Sequence, residues 1–222
     1  MIRYVVIEHL EPCISPWMLS EYRYSIDVLK DLVKVVFTNV TKENDRRLLI
    51  RSFKDLNCSN CLIYATSLID LVKEGTFKNV IVLDPQAPEP LTRDDLRKGE
   101  VVVIGGIMGD YPPKGRTKEL ITNRLSKCIP RNLGKEQLTI AGAAYVLKRI
   151  ILGDELSSIK LVKGLKINLK FLGSELEIEL PYAFPLNELG EIELPEDYFD
   201  VVARSSIYFE GLGGCRDEDI TG

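Results

Sequence analysis

The chain has 222 residues, of which 45% are hydrophobic and 28% charged, enough apolar material to bury a core as one large domain or as one domain with an appendage. Its formal net charge of −4 excludes the basic field of a bulk nucleic-acid binder, and no apolar run approaches the roughly 18 residues of a membrane span. Cys13, Cys58, Cys61, Cys128 and Cys215 are odd in number and scattered, unlike the framework of a small secreted disulfide domain, so a reducing, cytoplasmic setting is expected.

Tyr4 to Ile7 reads as a first strand, too short for a signal-peptide core. Ser15-Pro16 then supplies an N-cap and a proline at the first helical position, which predicts a helix to about Asp31. Val33 to Phe37 reads as a strand and Glu43 to Leu56 as a helix. Cys58 and Cys61 form a C-x-x-C pair, but no second Cys or His pair follows at zinc-site spacing and the only histidine is His9, far upstream. The pair is therefore read as two buried small hydrophobes, with no metal expected.

Val80 to Leu83 is a short apolar run stopped by Asp84-Pro85, and Val101 to Ile104 is another; both read as interior strands of a parallel sheet. The last long helix is predicted from Thr139 to Leu152, with Gly153 as its stop. This alternation of strand and helix argues an α/β fold with a parallel sheet covered on both faces. After Gly153 the texture changes. Ile167, Leu169 and Phe171, then Leu176, Ile178 and Leu180, alternate with polar residues around Gly173-Ser174, which predicts a hairpin. Pro181, Pro185 and Pro195 are expected to break the remainder into short pieces, and Gly211 to Gly222 to be loose. The division drawn is residues 1–155 as the main domain and 156–222 as a small β-rich extension.

The segment Val101 to Leu120, VVVIGGIMGDYPPKGRTKEL, carries most of the functional signal. Gly105-Gly106 at the carboxyl end of a strand lets backbone approach a ligand, while Pro112 and Pro113 stiffen the loop and remove two donors. The segment argues against a nucleotide-triphosphate loop, because five residues rather than four separate Gly109 from Gly115, Arg116 stands where lysine is needed, and Pro113 lies inside the loop. Gly105, Gly106 and Gly109 also miss the dinucleotide spacing. A plain strand-to-helix turn would explain the glycines, but Asp110, Arg116, Lys118 and Glu119 crowd more charge around it than a turn requires. Downstream, Lys114, Arg116, Lys118, Arg124, Lys127, Arg131 and Lys135 face the single carboxylate Glu119. This stretch is either a solvated helix face or a local polyanion contact.

These residues resemble the SPOUT superfamily of S-adenosylmethionine-dependent methyltransferases, in the branch that includes the eukaryotic ribosomal-protein arginine methyltransferase and archaeal predicted RNA methyltransferases. The resemblance spans nearly the whole chain. It rests on EH-L-E at Glu8 to Glu11, S-P-W and E-Y within Ser15 to Tyr22, LDP at Leu83 to Pro85, GGIMGDYPP with RTKEL, the stretch Arg131 to Thr139, and the ELPYAF and ELPED pieces. It implies a trefoil knot formed near Val101 to Leu152, a feature that composition and topology rules alone would never suggest. It also implies S-adenosylmethionine as donor and S-adenosylhomocysteine as product. The donor is expected among Leu83, Asp84 and Pro85; Gly105, Gly106, Ile107, Gly109 and Arg116; and Leu133, Gly134, Gln137, Leu138 and Thr139. Most of the superfamily is dimeric and the arginine-methylating branch monomeric, so monomer or homodimer stays open.

Methyl transfer is an in-line displacement at a sulfonium carbon, so the protein must mainly align two groups, exclude water and accept a proton. A guanidinium acceptor would need carboxylates to offset its repulsion by the sulfonium, and Glu8, Glu21 and Asp110 are the candidates, with His9 as a relay. Each has a plainer structural reading: a surface carboxylate for Glu21, a satisfied core histidine for His9. Arg116 could hold the donor's carboxylate, a phosphate, or only Asp110 or Glu119. Trp17 is either packing at a helix start or a stacking platform. The expected activity is methylation of the translation machinery, first of a ribosomal-protein arginine. Ribosomal or transfer RNA is the alternative acceptor, and a non-catalytic donor-binding module the third reading.

Overall fold

The computed structural model describes residues 2–171 and 174–209. In chain order its elements are β1 (Tyr4–His9), α1 (Pro16–Leu29), β2 (Lys34–Thr38), α2 (Glu43–Asp55), β3 (Leu62–Ile63), α3 (Leu68–Lys73), β4 (Val80–Leu83) and α4 (Arg93–Lys98). There follow β5 (Val101–Gly106), α5 (Arg116–Leu120), β6 (Ile129–Arg131), α6 (Ile140–Leu152), β7 (Leu161–Phe171), β8 (Ser174–Pro185) and α7 (Tyr198–Phe209). Six strands form one sheet in the order β3-β2-β1-β5-β4-β6, parallel at every pairing.

The apolar runs of β1, β4 and β5 are buried along nearly their whole length, as strands covered on both faces must be. Their alternate residues feed two cores. Val5, Ile7, Val35, Phe37, Ile81, Leu83, Val102 and Ile104 pack with α1 and α6 on one side. Val6, Val36, Val80, Val82, Val101 and Val103 pack with α3 on the other. Ser15 caps α1 by accepting from Met18 N, and Thr139 caps α6 by accepting from Gly142 N, as cap residues do.

The sequence-predicted strands and long helices appear within one to three residues of their expected limits. Apart from α7, the elements not foreseen are short. β6 contains a proline and an arginine and exists because Ile129 to Arg131 pair with Ile81 to Leu83. The basic stretch 114–135 is not one helix face: α5 ends at Leu120, a 3₁₀ turn follows at Thr122–Arg124, and then β6. The hairpin is antiparallel, with Ile167 opposite Ile178. Its β8 runs through Pro181 to Pro185 rather than breaking there, because a two-stranded ladder leaves one edge open to proline. α7 occupies part of what was expected to be short pieces. Gly173 and the tail 211–222 lie outside the described residues.

The cysteine expectation is corrected. Asn57 takes a left-handed turn (φ 54°) at the end of α2 and sets the Cα atoms of Cys58 and Cys61 5.6 Å apart, bridged as a disulfide, a spacing that fits such a bridge. Cys13 is likewise disulfide-bonded, and Cys215 lies outside the described residues.

At the carboxyl end of β1 two polar side chains are buried. Glu8 accepts from Thr38 Oγ1 and from Leu68 N, which ties β1 to β2 and to the start of α3. Burial pushes its pKa up against the opposing pull of those two bonds. His9 Nδ1 meets Tyr22 Oη at 3.0 Å, and its Nε2 is buried without a hydrogen bond, 3.9 Å from Asp45 Oδ2. Burial depresses its pKa.

Two outcomes follow. A Cβ on Gly106 would come within 2.4 Å of Tyr22 Oη and 2.7 Å of Glu8 O, so Gly106→Ala should lower stability by about 2–3 kcal/mol in urea unfolding; a loss under about 0.5 kcal/mol would mean that β1 and β5 part easily. His9 is held neutral in the fold while the unfolded chain protonates it below its ordinary 6.5, so its contribution is complete above that pH and is lost as pH falls below it. The stability difference between wild type and His9→Gln should therefore shrink on acidification below 6.5 and be flat above it, and a flat difference throughout would contradict the depressed value.

Candidate active site

The loops leaving β4 and β5, the turn after β6 and the first turns of α1 meet at the carboxyl ends of β4 and β5, where open parallel sheets take ligands. They enclose a cleft of about 1010 Å³ counting the solvent at its open side, the size of a small-molecule site. Its wall is apolar at Leu83, Ile104, Leu133, Ile140 and Ala143, charged at Asp110, Lys114, Arg116 and Glu136, and aromatic at Trp17 and Tyr182.

The β5 exit loop is shaped by close approach. A Cβ on Gly109 would lie 2.5 Å from the Tyr182 ring and 2.8 Å from Gln137 Nε2, so only glycine lets the hairpin and the turn after β6 converge there. Gly115 has φ 68° and abuts the Gln86 side chain, a conformation that glycine adopts freely. Tyr182 Oη donates to Gly109 O at 2.7 Å, Ala183 N donates to Gln137 O at 2.8 Å, and Lys163 pairs with Glu136 at 2.8 Å. The base of the hairpin therefore holds both cleft loops.

Glu21 is the buried carboxylate of the cleft, 2% exposed. Its Oε2 accepts from Ala141 N at 2.6 Å and its Oε1 from Trp17 Nε1 at 3.3 Å. Ala141 lies in the first turn of α6, whose N-terminal amides favour an anion. Burial raises the Glu21 pKa, opposed by the Ala141 amide and by Thr139, Trp17 and Tyr198. The Trp17 ring is braced edge-on by Tyr198 at 6.0 Å.

Asp110 is different. It pairs with Arg116 at 2.8 Å and with Lys114 at 3.1 Å, and these cations, Lys114 foremost, hold its carboxyl below the ordinary carboxylate value.

Leu83, Pro85, Gly105, Ile107, Gly109, Arg116, Leu133, Gln137, Leu138 and Thr139 all line the cleft, with Glu21 and Asp110. Glu8, His9, Asp84, Gly106 and Gly134 do not. Asp84 accepts from Gln86 N and from Thr122 Oγ1, both at 2.8 Å, and so shapes the β4 exit loop from behind. Glu8 and His9 are spent on the interior contacts of β1. Tyr182, Glu136 and Met108 belong to the wall but were not singled out. The one sequence signal for Tyr182 was its place in ELPYAF, inside a segment read as an appendage. Among the described residues no cluster of His, Cys, Asp and Glu could hold a metal ion.

A family model described as SFM1-like, protein arginine N-methyltransferase SFM1-like, matches residues 4–208. Protein arginine N-methyltransferase SFM1 of Saccharomyces cerevisiae is 31% identical over 211 residues, covering 90% of this chain and 94% of the relative. The crystal structure of the yeast arginine methyltransferase SFM1 complexed with SAM matches with a TM-score of 0.73 and 26% identity, over 93% of this chain and 92% of that one. A dual-specific Trm10 from Thermococcus kodakaraensis shares the fold, with a TM-score of 0.54 at 19% identity over 69% of this chain and 95% of that one. The chain belongs to the SFM1-like family of protein arginine N-methyltransferases.

Proposed function

We propose that the protein transfers a methyl group from S-adenosylmethionine to a guanidino nitrogen of an arginine in a protein of the translation machinery, in the cytoplasm. The observation that carries this reading is the Glu21 carboxylate, buried on the wall of the donor cleft between the Trp17 indole and the first turn of α6. The relatives, an arginine methyltransferase and its complex with SAM, support it.

The cleft fits such a donor: an apolar slot for a flat ring system at Leu83, Ile104 and Leu133, backbone free of side chains at Gly105, and polar groups at Gln137 and Thr139. When bound, the donor supplies an electrophilic methyl on a positively charged sulfur. The acceptor is cationic too, so the two repel until a carboxylate intervenes. Glu21 provides it. Its oxygens are anchored at Ala141 N and Trp17 Nε1 and also face the Thr139 and Tyr198 hydroxyls, so a guanidinium N–H would take a lone pair that one of these rotatable hydroxyls releases. Bonding to the guanidinium hydrogens draws positive charge toward the carboxylate and leaves one Nη freer to attack. After attack the methylated guanidinium must lose a proton, and Glu21 is placed to take it. Asp110, neutralised by Arg116 and Lys114, serves the shape of the loop.

An arginine is favoured over RNA because the cations of the basic stretch nearest the cleft are spent internally, while Lys118, Arg124, Lys127 and Lys135 are exposed. Lys114 pairs with Asp110, Arg116 with Asp110 and Glu11, and Arg131 with both oxygens of Asp95. We further infer that the knot implied by the family lies where segment 131–134 passes the β4 exit loop, held there by Leu91 N to Asn132 O and Asn132 N to Glu89 O, each 2.9 Å.

The test is transfer of labelled methyl into an undermethylated ribosome fraction, divided between nuclease and protease. Label that survives nuclease and is released by protease is expected; label lost to nuclease would make this an RNA enzyme. Glu21→Gln should cut the rate by about 100-fold or more while donor affinity changes less than about threefold. In the wild type, activity should rise with pH through the raised Glu21 value, because the ionised form is the working one, and this limb should be missing in the Glu21→Gln profile. A rate within about tenfold of wild type would remove Glu21 from the chemistry.

A further inference from the structure

Glu11 lies on the segment between β1 and α1 and is not part of the cleft wall. Nevertheless its Oε1 accepts from Met108 N and from Arg116 Nη1, both at 2.9 Å. Arg116 Nη2 donates to Met108 O, and Nε faces Asp110 Oδ2 at 2.8 Å. All three guanidinium nitrogens are therefore engaged, and the carbonyl and amide of Met108 are both held. The chain of contacts continues from Asp110 to Lys114 at 3.1 Å. It spans the loop that passes from β5 to α5, and this loop supplies Met108, Gly109, Asp110 and Arg116 to the cleft.

Two physical consequences follow for a cationic ligand. Held by two carboxylates, Arg116 brings little net positive charge to the wall against which a sulfonium must lie. Without Glu11, Arg116, already on the cleft wall, would keep only Asp110 and the Met108 carbonyl as partners, its charge would be less fully cancelled, and Met108 N would lose its acceptor. We propose that Glu11 is a positioning residue for the methyl donor: acting through Met108 and Arg116, it fixes the β5 exit loop in its binding shape and keeps the arginine's charge cancelled. The proposal rests on S-adenosylmethionine as donor and is independent of which acceptor is methylated.

The experiment is calorimetric titration of the full chain with S-adenosylmethionine and with S-adenosylhomocysteine, alongside melting curves, for wild type, Glu11→Ala, Glu11→Gln, Arg116→Gln and the double variant Glu11→Gln/Arg116→Gln. Glu11→Ala should weaken S-adenosylmethionine binding by about tenfold or more, with partial recovery in Glu11→Gln, which keeps an oxygen for Met108 N. The neutral-sulfur product should lose less affinity than the cationic donor, a difference that a merely structural role would not produce. The double variant should bind no worse than Arg116→Gln alone, because both act through one contact. The proposal is overturned if Glu11→Ala and Glu11→Gln bind the donor within about twofold of wild type, if donor and product suffer equally, or if the single effects multiply in full. A wild type that binds neither molecule would sink the donor reading itself, and this proposal with it.

Discussion

Pairing of β1 with β5, residue for residue from Tyr4 against Val101 to His9 against Gly106, is the constraint on which the site depends. It lays the segment after β1 beside the segment after β5. Glu11 thereby reaches Met108 and Arg116, and α1 starts with Trp17 and Glu21 at the cleft. The pairing is tight because Gly106 lies against the Tyr22 hydroxyl and the Glu8 carbonyl, with no room for a side chain. Packing of α1 on α6 then sets the Glu21 carboxylate at the helix terminus that anchors it.

The charges near the cleft divide by role. Glu21 is buried against neutral donors, an indole N–H, a backbone amide and the hydroxyls of Thr139 and Tyr198, with no cation paired to it among the contacts described. Asp110, Glu11, Arg116 and Lys114 satisfy one another and fix the loop without contributing much field. A wall so arranged carries one buried carboxylate without a cationic partner beside a loop whose charges cancel, and the proposed reaction rests on that asymmetry.

Much of this was legible in the chain because the signals were local. Val80 to Leu83 and Val101 to Ile104 announce buried strands by composition, and Ser15-Pro16 and Thr139 mark helix starts by cap chemistry. The family resemblance pointed to loops expected to hold a donor, and most of the residues it named line one cleft. What could not be read was set by distance along the chain. Glu8 and Glu21 look alike as carboxylates near the first strand, and only the packing of α3 against one and α6 against the other separates an interior tie from a cleft wall. Tyr182 and β6 were obscure for the same reason, since one is placed by the turn at Gln137 and the other by β4. The Cys58–Cys61 bridge turned on a left-handed turn at Asn57 that spacing does not encode.

The contacts that make the cleft also dictate when it can exist. Glu11 reaches partners 97 and 105 residues downstream, and Glu21 reaches one 120 residues away. A growing polypeptide therefore completes β1 and α1 long before their counterparts emerge, and must hold an apolar half-sheet uncovered until α6 arrives. Such non-local topology folds slowly and exposes its edges meanwhile. No fragment ending before α6 would contain even a rudimentary form of the Glu21 site, so binding of the donor reports completion of the whole main sheet and not of any part of it.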